Sequence, residues 1–283
     1  GHDIGDMLLR QVAQRLGQTL RSTDVICRIG GDEFVVIVEP AEDESEPDQV
    51  ARKILRALAD PFMVETHQLF VSASIGVSVY PKDAPDAAAV VRCADIAMYH
   101  AKNKGKNAYE VFHAEMAQRA SKRLALEANL RKALQNNELS LHYQPQIDVR
   151  SGRMRGMEVL VRWHCEALGG MVSPAEFIPV AEESGVIVPL GRWVLQMAIR
   201  QAASWRKAGL LEDIEHVAVN VSACQTKDVQ LMYEVQALLM ETGLPPRLLE
   251  LEITEGVLME NVNANIALLH KIQAAGIHLS IDD

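Results

Sequence analysis

The chain has 283 residues, 48% of them hydrophobic, with 28 Lys and Arg against 38 Asp and Glu and a formal net charge of −10. That length suggests two domains with enough apolar residues for real cores. The acidic balance disfavours non-specific binding to a nucleic-acid polymer, whose affinity comes from many basic contacts to phosphates. It leaves room for a small phosphate ligand held by a few local bases or a metal. No apolar run approaches the ~20 residues that cross a bilayer, and no signal peptide opens the chain. Cys27, Cys93, Cys165 and Cys224 are scattered without a CxxC pair. Neither a disulfide framework nor a zinc site is suggested, and a cytoplasmic segment without membrane contact of its own is expected.

In chain order, LLRQVAQRL sets Leu8, Leu9, Val12, Ala13 and Leu16 at helical spacing. DVICRI and FVVIVE flank Gly30-Gly31, which predicts a tight hairpin turned on those two glycines. Helices are expected near 47–60 and 86–103, with the strand LFVSASIGVSVY between them. Gly105 is the expected C-cap, and Lys102, Lys104 and Lys106 suit a helix C-terminus. From about 113 to 136 the sequence is helical and charged, without Gly or Pro, and reads as a rigid connector. Strands follow near 139–148, 154–163, 216–221, 248–253 and 277–282, separated by helices near 174–184, 187–208, 228–242 and 261–275. Strand followed by helix, repeated, predicts a parallel sheet or a β/α barrel.

The first chemical constellation is RIGGDEFVVI. Adjacent carboxylates after a Gly-Gly turn, taken alone, read as a solvated turn, and alternatively as oxygen ligands for a hard divalent cation beside a phosphate. Asp24 precedes the turn within Arg21-Ser22-Thr23-Asp24. Gly30 to Phe34, the opening GHDIGDMLL and the later MYHAKNKGKNAYEVF together resemble the GGDEF family of diguanylate cyclases over residues 1 to about 112. The resemblance implies an α/β sandwich of nucleotidyl-cyclase type that joins two GTP into cyclic di-GMP. It implies that Asp32 and Glu33 help hold the metal on GTP and that Gly30 and Gly31 let the backbone approach the nucleotide. Asp6 would bond the guanine edge, Lys102 and Lys106 would contact the triphosphate, and Arg21 with Asp24 would form an inhibitory site for cyclic di-GMP. One domain of this family holds one GTP, so synthesis implies a homodimer.

The second constellation lies in 156–170, GMEVLVRWHCEALGG, which offers Glu158 within a strand and Glu166 in a literal Glu-Ala-Leu. HYQPQI at 142–147, GMEVLVRW, SPAEFIPVAEESGVIVPLGRWVL, AVNVSACQ, LELEITEGVL and HLSIDD resemble the EAL family of cyclic di-GMP phosphodiesterases over about 121–283, which leaves 113–120 as a helical linker. That family places an Arg one residue after its motif Leu, which fits Glu158-Val159-Leu160-Val161-Arg162 and not Glu166-Ala167-Leu168. Barrel physics agrees independently. Catalytic groups gather at the C-terminal ends of strands, and Glu158, Asn220, Glu252 and Asp282 with Asp283 recur at four successive predicted strand ends. A carboxylate in an apolar strand is costly to bury, so four together favour a metal site.

By the resemblance, Glu158, Asn220, Glu252 and Asp282 hold Mg²⁺ or Mn²⁺, with Asp283 at a second ion. Gln144 and Arg162 contact the dinucleotide, Glu255 steadies a neighbouring loop, and the product is linear pGpG. Glu33, Glu158, Asp282 and Asp283 are the expected catalytic groups. His142, His164 and His216 stand at no ligand spacing, so surface or packing roles are expected. Trp163, Trp193 and Trp205 are expected to pack the second domain.

The chain begins inside the cyclase motif and ends at Asp283, inside what the EAL family continues as DDFG. The expectation is a fragment that carries an incomplete (β/α)8 barrel and is inactive when isolated. A tandem enzyme and a non-catalytic cyclic di-GMP receptor are both compatible with these residues. Intact metal ligands favour the enzyme.

Overall fold

The computed structural model describes residues 2–39, 46–228, 230–254 and 269–282. The chain divides into two compact units, 1–122 and 123–283. Among the described residues no helix is long and apolar enough to cross a membrane.

In the first unit, α1 (His2–Thr19) and α2 (Glu46–Ala59) bury Val12, Leu16, Ile54 and Leu58 against Phe62. The hairpin β1 (Val25–Gly30) and β2 (Glu33–Ile37) adds Ile26, Phe34 and Val36 to this cluster, and β5 (Ser74–Val77) adds Ile75. Arg15 ties the layer together. It donates to the carbonyls of Ala57 at 3.2 Å and Pro61 at 2.9 Å, and to that of Asp60, with its guanidinium 3.5 Å from the Phe62 ring centroid. Helix α3 (Ala87–Asn103) starts where the Asp86 carboxylate accepts from Ala89 N at 2.8 Å, and it packs its backbone on β5 at Gly76. β5 pairs in parallel with β6 (Ala108–Val111).

Three local readings change here. The two-residue turn falls on Gly31 and Asp32, because Gly30 is still paired with Glu33 and only Gly31 takes a positive φ, 51°. The expected strand from 69 to 80 shrinks to β5, and its start joins a hairpin of β3 (Phe62–Val64) and β4 (His67–Leu69). That hairpin turns through Glu65 at φ 55°, a residue that gives no turn signal in sequence. The cap of α3 is Lys104, with Gly105 one residue further at φ 122°.

Helix α4 (Ala114–Ala133) buries Met116 in a cluster of the first unit and Leu126 and Leu130 in the core of the second. It ends at Ala133, short of 136, ahead of a turn in which Asn137 takes a left-handed φ of 56°. The second unit is built on a sheet of order β12-β11-β10-β8-β7, with β9 paired to β8. Its strands are β7 (Leu139–Ile147), β8 (Met154–Cys165), β9 (Gly170–Val172), β10 (His216–Asn220), β11 (Leu249–Thr254) and β12 (His278–Asp282). β8, β10, β11 and β12 run parallel, as strand-helix alternation predicts. β7 departs from it and runs antiparallel to β8, since the turn at 148–153 is too short for a crossover.

Helices α5 (Pro174–Glu183), α6 (Ile187–Lys207) and α8 (Leu231–Thr242), with the short α7 (Ala223–Thr226), lie between the strands in sequence. Helical residues 269–274 precede β12, and the rest of the helix expected at 261–275 lies outside the described residues. Met157, Val159, Trp163, Val217, Val219, Leu249, Leu251 and Ile253 alternate along the strands and share one core with Phe177, Leu190, Ile199 and Val235. Each fully buried side chain of this size is worth roughly 1.5–3 kcal/mol. Trp163 closes the β7–β8 end: it meets Phe177 edge to face at 5.5 Å and donates its indole N–H to Glu138 at 3.1 Å. That bond, with help from Asn136, holds the Glu138 carboxyl below the usual range.

Candidate active site on one face of the second sheet

Strand alternation assigns the opposite face. With 157, 159, 217, 219, 251 and 253 turned to the helices, Glu158, Asn220 and Glu252 turn the other way. Register carries the same face from strand to strand. Glu158 pairs with Ala218, two residues before Asn220; Asn220 pairs with Glu252; Glu252 pairs with Ser280, two before Asp282. Gln144 on β7 pairs with Glu158, and Arg162 lies four residues along from it. Five residues predicted from sequence therefore share one face of four strands, stepping along the sheet as strand stagger dictates.

The geometry is closest between Glu158 and Asn220, where Asn220 Nδ2 donates to Glu158 Oε1 at 2.8 Å. The bond uses one polar atom of each group and leaves Asn220 Oδ1 and Glu158 Oε2 as oxygen donors. With Glu252 on the adjacent strand, the donors are all oxygen, the chemistry a hard divalent cation takes. Glu158 and Glu252 are half-buried; Asn220 is exposed. Among the described residues no three His, Cys, Asp or Glu side chains lie close enough to hold a metal ion between them. The Asp282 side chain, Asp283 and Glu255 lie outside the described residues. Gln144 is exposed, and Arg162 is half-buried with Nη1 donating to the Val161 carbonyl at 3.0 Å.

Glu166 is elsewhere. Glu166–Leu168 form a single 3-10 turn that ends in left-handed Gly169 at φ 91° and delivers the chain to β9. Glu166 is exposed beyond the end of β8 and eight residues from Glu158. His142 and His164 are exposed. His216 is built in: its Nε2 faces Gln146 Oε1 at 2.5 Å and its Nδ1 lies 3.6 Å from Glu250. It begins the strand that Asn220 ends.

The first unit holds the other constellation on its surface. Asp32 and Glu33 are exposed at the β1–β2 turn, and Arg28 Nε donates to the Gly31 carbonyl at 2.9 Å. A Cβ added at Gly30 or Gly31 meets nothing within 4 Å. Since Gly30 also has no positive φ, nothing inside the chain requires a glycine there. Arg21 and Asp24 close a local turn: Arg21 N donates to Asp24 Oδ2 at 2.8 Å and Asp24 N to Arg21 O at 3.1 Å, while Asp24 Oδ1 is buried without a hydrogen bond. Asp6 is exposed on α1; Lys102 lies in the last turn of α3; Lys106 follows that helix in a left-handed conformation at φ 62°.

Comparison with known proteins finds a domain match for each unit. The EAL domain model matches residues 127–283, and the model of the diguanylate cyclase GGDEF domain matches residues 1–108. The chain is 38% identical over 283 residues to the bifunctional diguanylate cyclase/cyclic di-GMP phosphodiesterase MucR of Pseudomonas aeruginosa. It is 39% identical over 283 residues to the cyclic di-GMP phosphodiesterase PdeR of Escherichia coli. It covers 41% and 42% of those two proteins, so it spans less than half of their length. Among solved structures it resembles the PaMucR phosphodiesterase in its c-di-GMP complex, with a TM-score of 0.53 and 39% identity over 56% of this chain and 63% of that one. It also resembles the cAMP-bound EAL enzyme Bd1971, with a TM-score of 0.53 and 28% identity over 60% of this chain and 47% of that one. The chain belongs to the EAL-domain family, with a GGDEF domain ahead of its EAL domain.

Proposed function

We propose that the EAL unit hydrolyses cyclic di-GMP to linear pGpG in the full-length protein. The observation that carries this reading is the shared sheet face of Glu158, Asn220 and Glu252, with Asn220 bonded to Glu158 at 2.8 Å. In the reaction a water oxygen bonds to phosphorus and the P–O3′ bond of one phosphodiester breaks. Glu158, Asn220, Glu252 and Asp282, with Asp283 at a second position, would hold Mg²⁺ or Mn²⁺. Bound there, such ions lower the pKa of water and neutralise charge on the leaving oxygen. Arg162 supplies a cation beside these acids for the ligand's phosphate, and Gln144 reaches the same face from β7. Glu255 would steady a neighbouring loop.

We further propose that residues 1–112 bind GTP through Asp6, Gly30, Gly31, Asp32, Glu33, Lys102 and Lys106, and make cyclic di-GMP as a homodimer or use GTP as a regulator. Arg21 and Asp24 are the inhibitory site in this reading, residues 113–120 the connector and 121–283 the EAL domain. The open space at Gly30 supports close approach by a nucleotide. The location is cytoplasmic, where both nucleotides are made.

The test is chromatography of nucleotides after the full-length protein meets cyclic di-GMP and Mg²⁺, with and without GTP. Glu158→Gln should lower pGpG formation on the order of 10³-fold, and Glu166→Gln should leave it intact. Cyclic di-GMP bound without turnover would make the protein a receptor instead.

A further inference from the structure

One positioning group stands just after Asn220. Asn220 is the last residue of β10, and the chain leaves it through a two-residue link. On one side the link is held by the sheet: Val221 N donates to the Glu252 carbonyl at 2.8 Å, one step beyond the paired strands. On the other side it is held by Gln225. The Gln225 Oε1 accepts from Ser222 N at 3.1 Å and from Ser222 Oγ at 3.1 Å, and Gln225 N donates to the Ser222 carbonyl at 3.0 Å. These bonds start α7 three residues after Asn220.

Gln225 is an expensive residue in this place. At 3% exposure it is the one buried polar side chain among the described residues. Its Nε2 is buried without a hydrogen bond, which an ordinary surface turn would not require. Its amide lies so close to α6 that a Cβ on Gly191 would come within 1.8 Å of Nε2. Glycine is thus required in the helix where Gln225 sits, although glycine weakens helix interiors. Neighbouring contacts anchor the same loop to α5 and α6: Cys224 Sγ to the Glu182 carbonyl at 3.8 Å, and Asp228 to Arg192 at 2.6 Å. A four-residue helix on the rim of a sheet has little stability of its own to justify this arrangement. Its position directly after Asn220 does justify it.

We infer that Gln225, seated on Gly191, is a positioning residue that fixes the backbone leaving Asn220 and so sets the Asn220 amide against Glu158 and Glu252. This rests on the metal-site reading of those three residues. A side chain that orients a metal ligand typically changes affinity or activity 10–100-fold when removed.

The experiment measures Mn²⁺ binding to the full-length protein by the loss of the free-ion electron paramagnetic resonance signal, alongside the thermal midpoint. Gln225→Met keeps the volume and removes both the capping oxygen and the unpaired donor, so the midpoint should stay within about 3 °C. Mn²⁺ affinity should fall about 10–100-fold. Ser222→Ala, which removes one of the two bonds to Oε1, should fall in the same direction by less, and decides the matter if Gln225→Met does not fold. Asn220→Ala is the reference. If Asn220→Ala weakens Mn²⁺ binding while the Gln225 and Ser222 variants bind as the parent does, the positioning role is overturned and the metal site stands. If Asn220→Ala binds Mn²⁺ unchanged, the metal-site reading falls and this inference with it.

Discussion

The two units present their candidate oxygen ligands in opposite ways. In the first, Asp32 and Glu33 are neighbours in sequence, exposed on a hairpin turn whose apex rests on one hydrogen bond from Arg28. In the second, Glu158, Asn220 and Glu252 come from three strands and meet through register, with their alternate residues locked in a common core. The turn tolerates change in its surroundings because it depends on little. The sheet face does not, since a one-residue slip of any strand would send its ligand into the core.

Substitutions of glycine sharpen this contrast. The largest stability effect is expected at Gly76, where a Cβ would lie 1.8 Å from the Ala94 carbonyl oxygen in the backbone of α3. Gly76→Ala should cost about 3 kcal/mol or more by denaturant unfolding. Next comes Gly156, where a Cβ would lie 2.3 Å from His216 Nε2 and displace the ring from Gln146. Gly156→Ala should cost about 1–3 kcal/mol and should lower hydrolysis through β10, even though no reacting atom is touched. Gly30→Ala should change stability by less than about 0.5 kcal/mol, because the added carbon meets nothing. GTP affinity, read by calorimetry, should nevertheless drop about tenfold, or ~1.4 kcal/mol. A Gly30→Ala protein that binds GTP as the parent does would remove the argument for the hairpin as a nucleotide site.

A smaller effect is expected from pH. Donation from Gln230 N, followed by the Arg192 guanidinium, holds the Asp228 carboxyl below its usual value. A depressed folded-state pKa contributes stability that is present above the unfolded value near 4 and is lost as pH falls through the folded one. Asp228→Asn should therefore flatten the loss of stability between neutral pH and about pH 3, measured by urea unfolding at both. An unchanged acid slope would show that the loop after β10 is not held through this ion pair.

Much of this was legible in the sequence, for identifiable reasons. The helix at LLRQVAQRL, the long helix near 113–136 and the alternating strands of the second unit follow from periodicity that survives in the structure. The hairpin at 62–69 was hidden because Glu65 supplies its turn with no glycine or asparagine to announce it. The antiparallel start of the second sheet was hidden because alternation alone does not give strand direction.

The sequence by itself determined which strands bear the candidate oxygen ligands, because side-chain type and period-two alternation are local properties. Only the tertiary structure decided that Asn220 bonds Glu158 and that Glu252 stands level with Asn220. It also decided that Gln225 needs a glycine in α6, and that His216 sits between Gln146 and Glu250. These depend on register and on close packing between segments dozens of residues apart, where sequence spacing sets no distance.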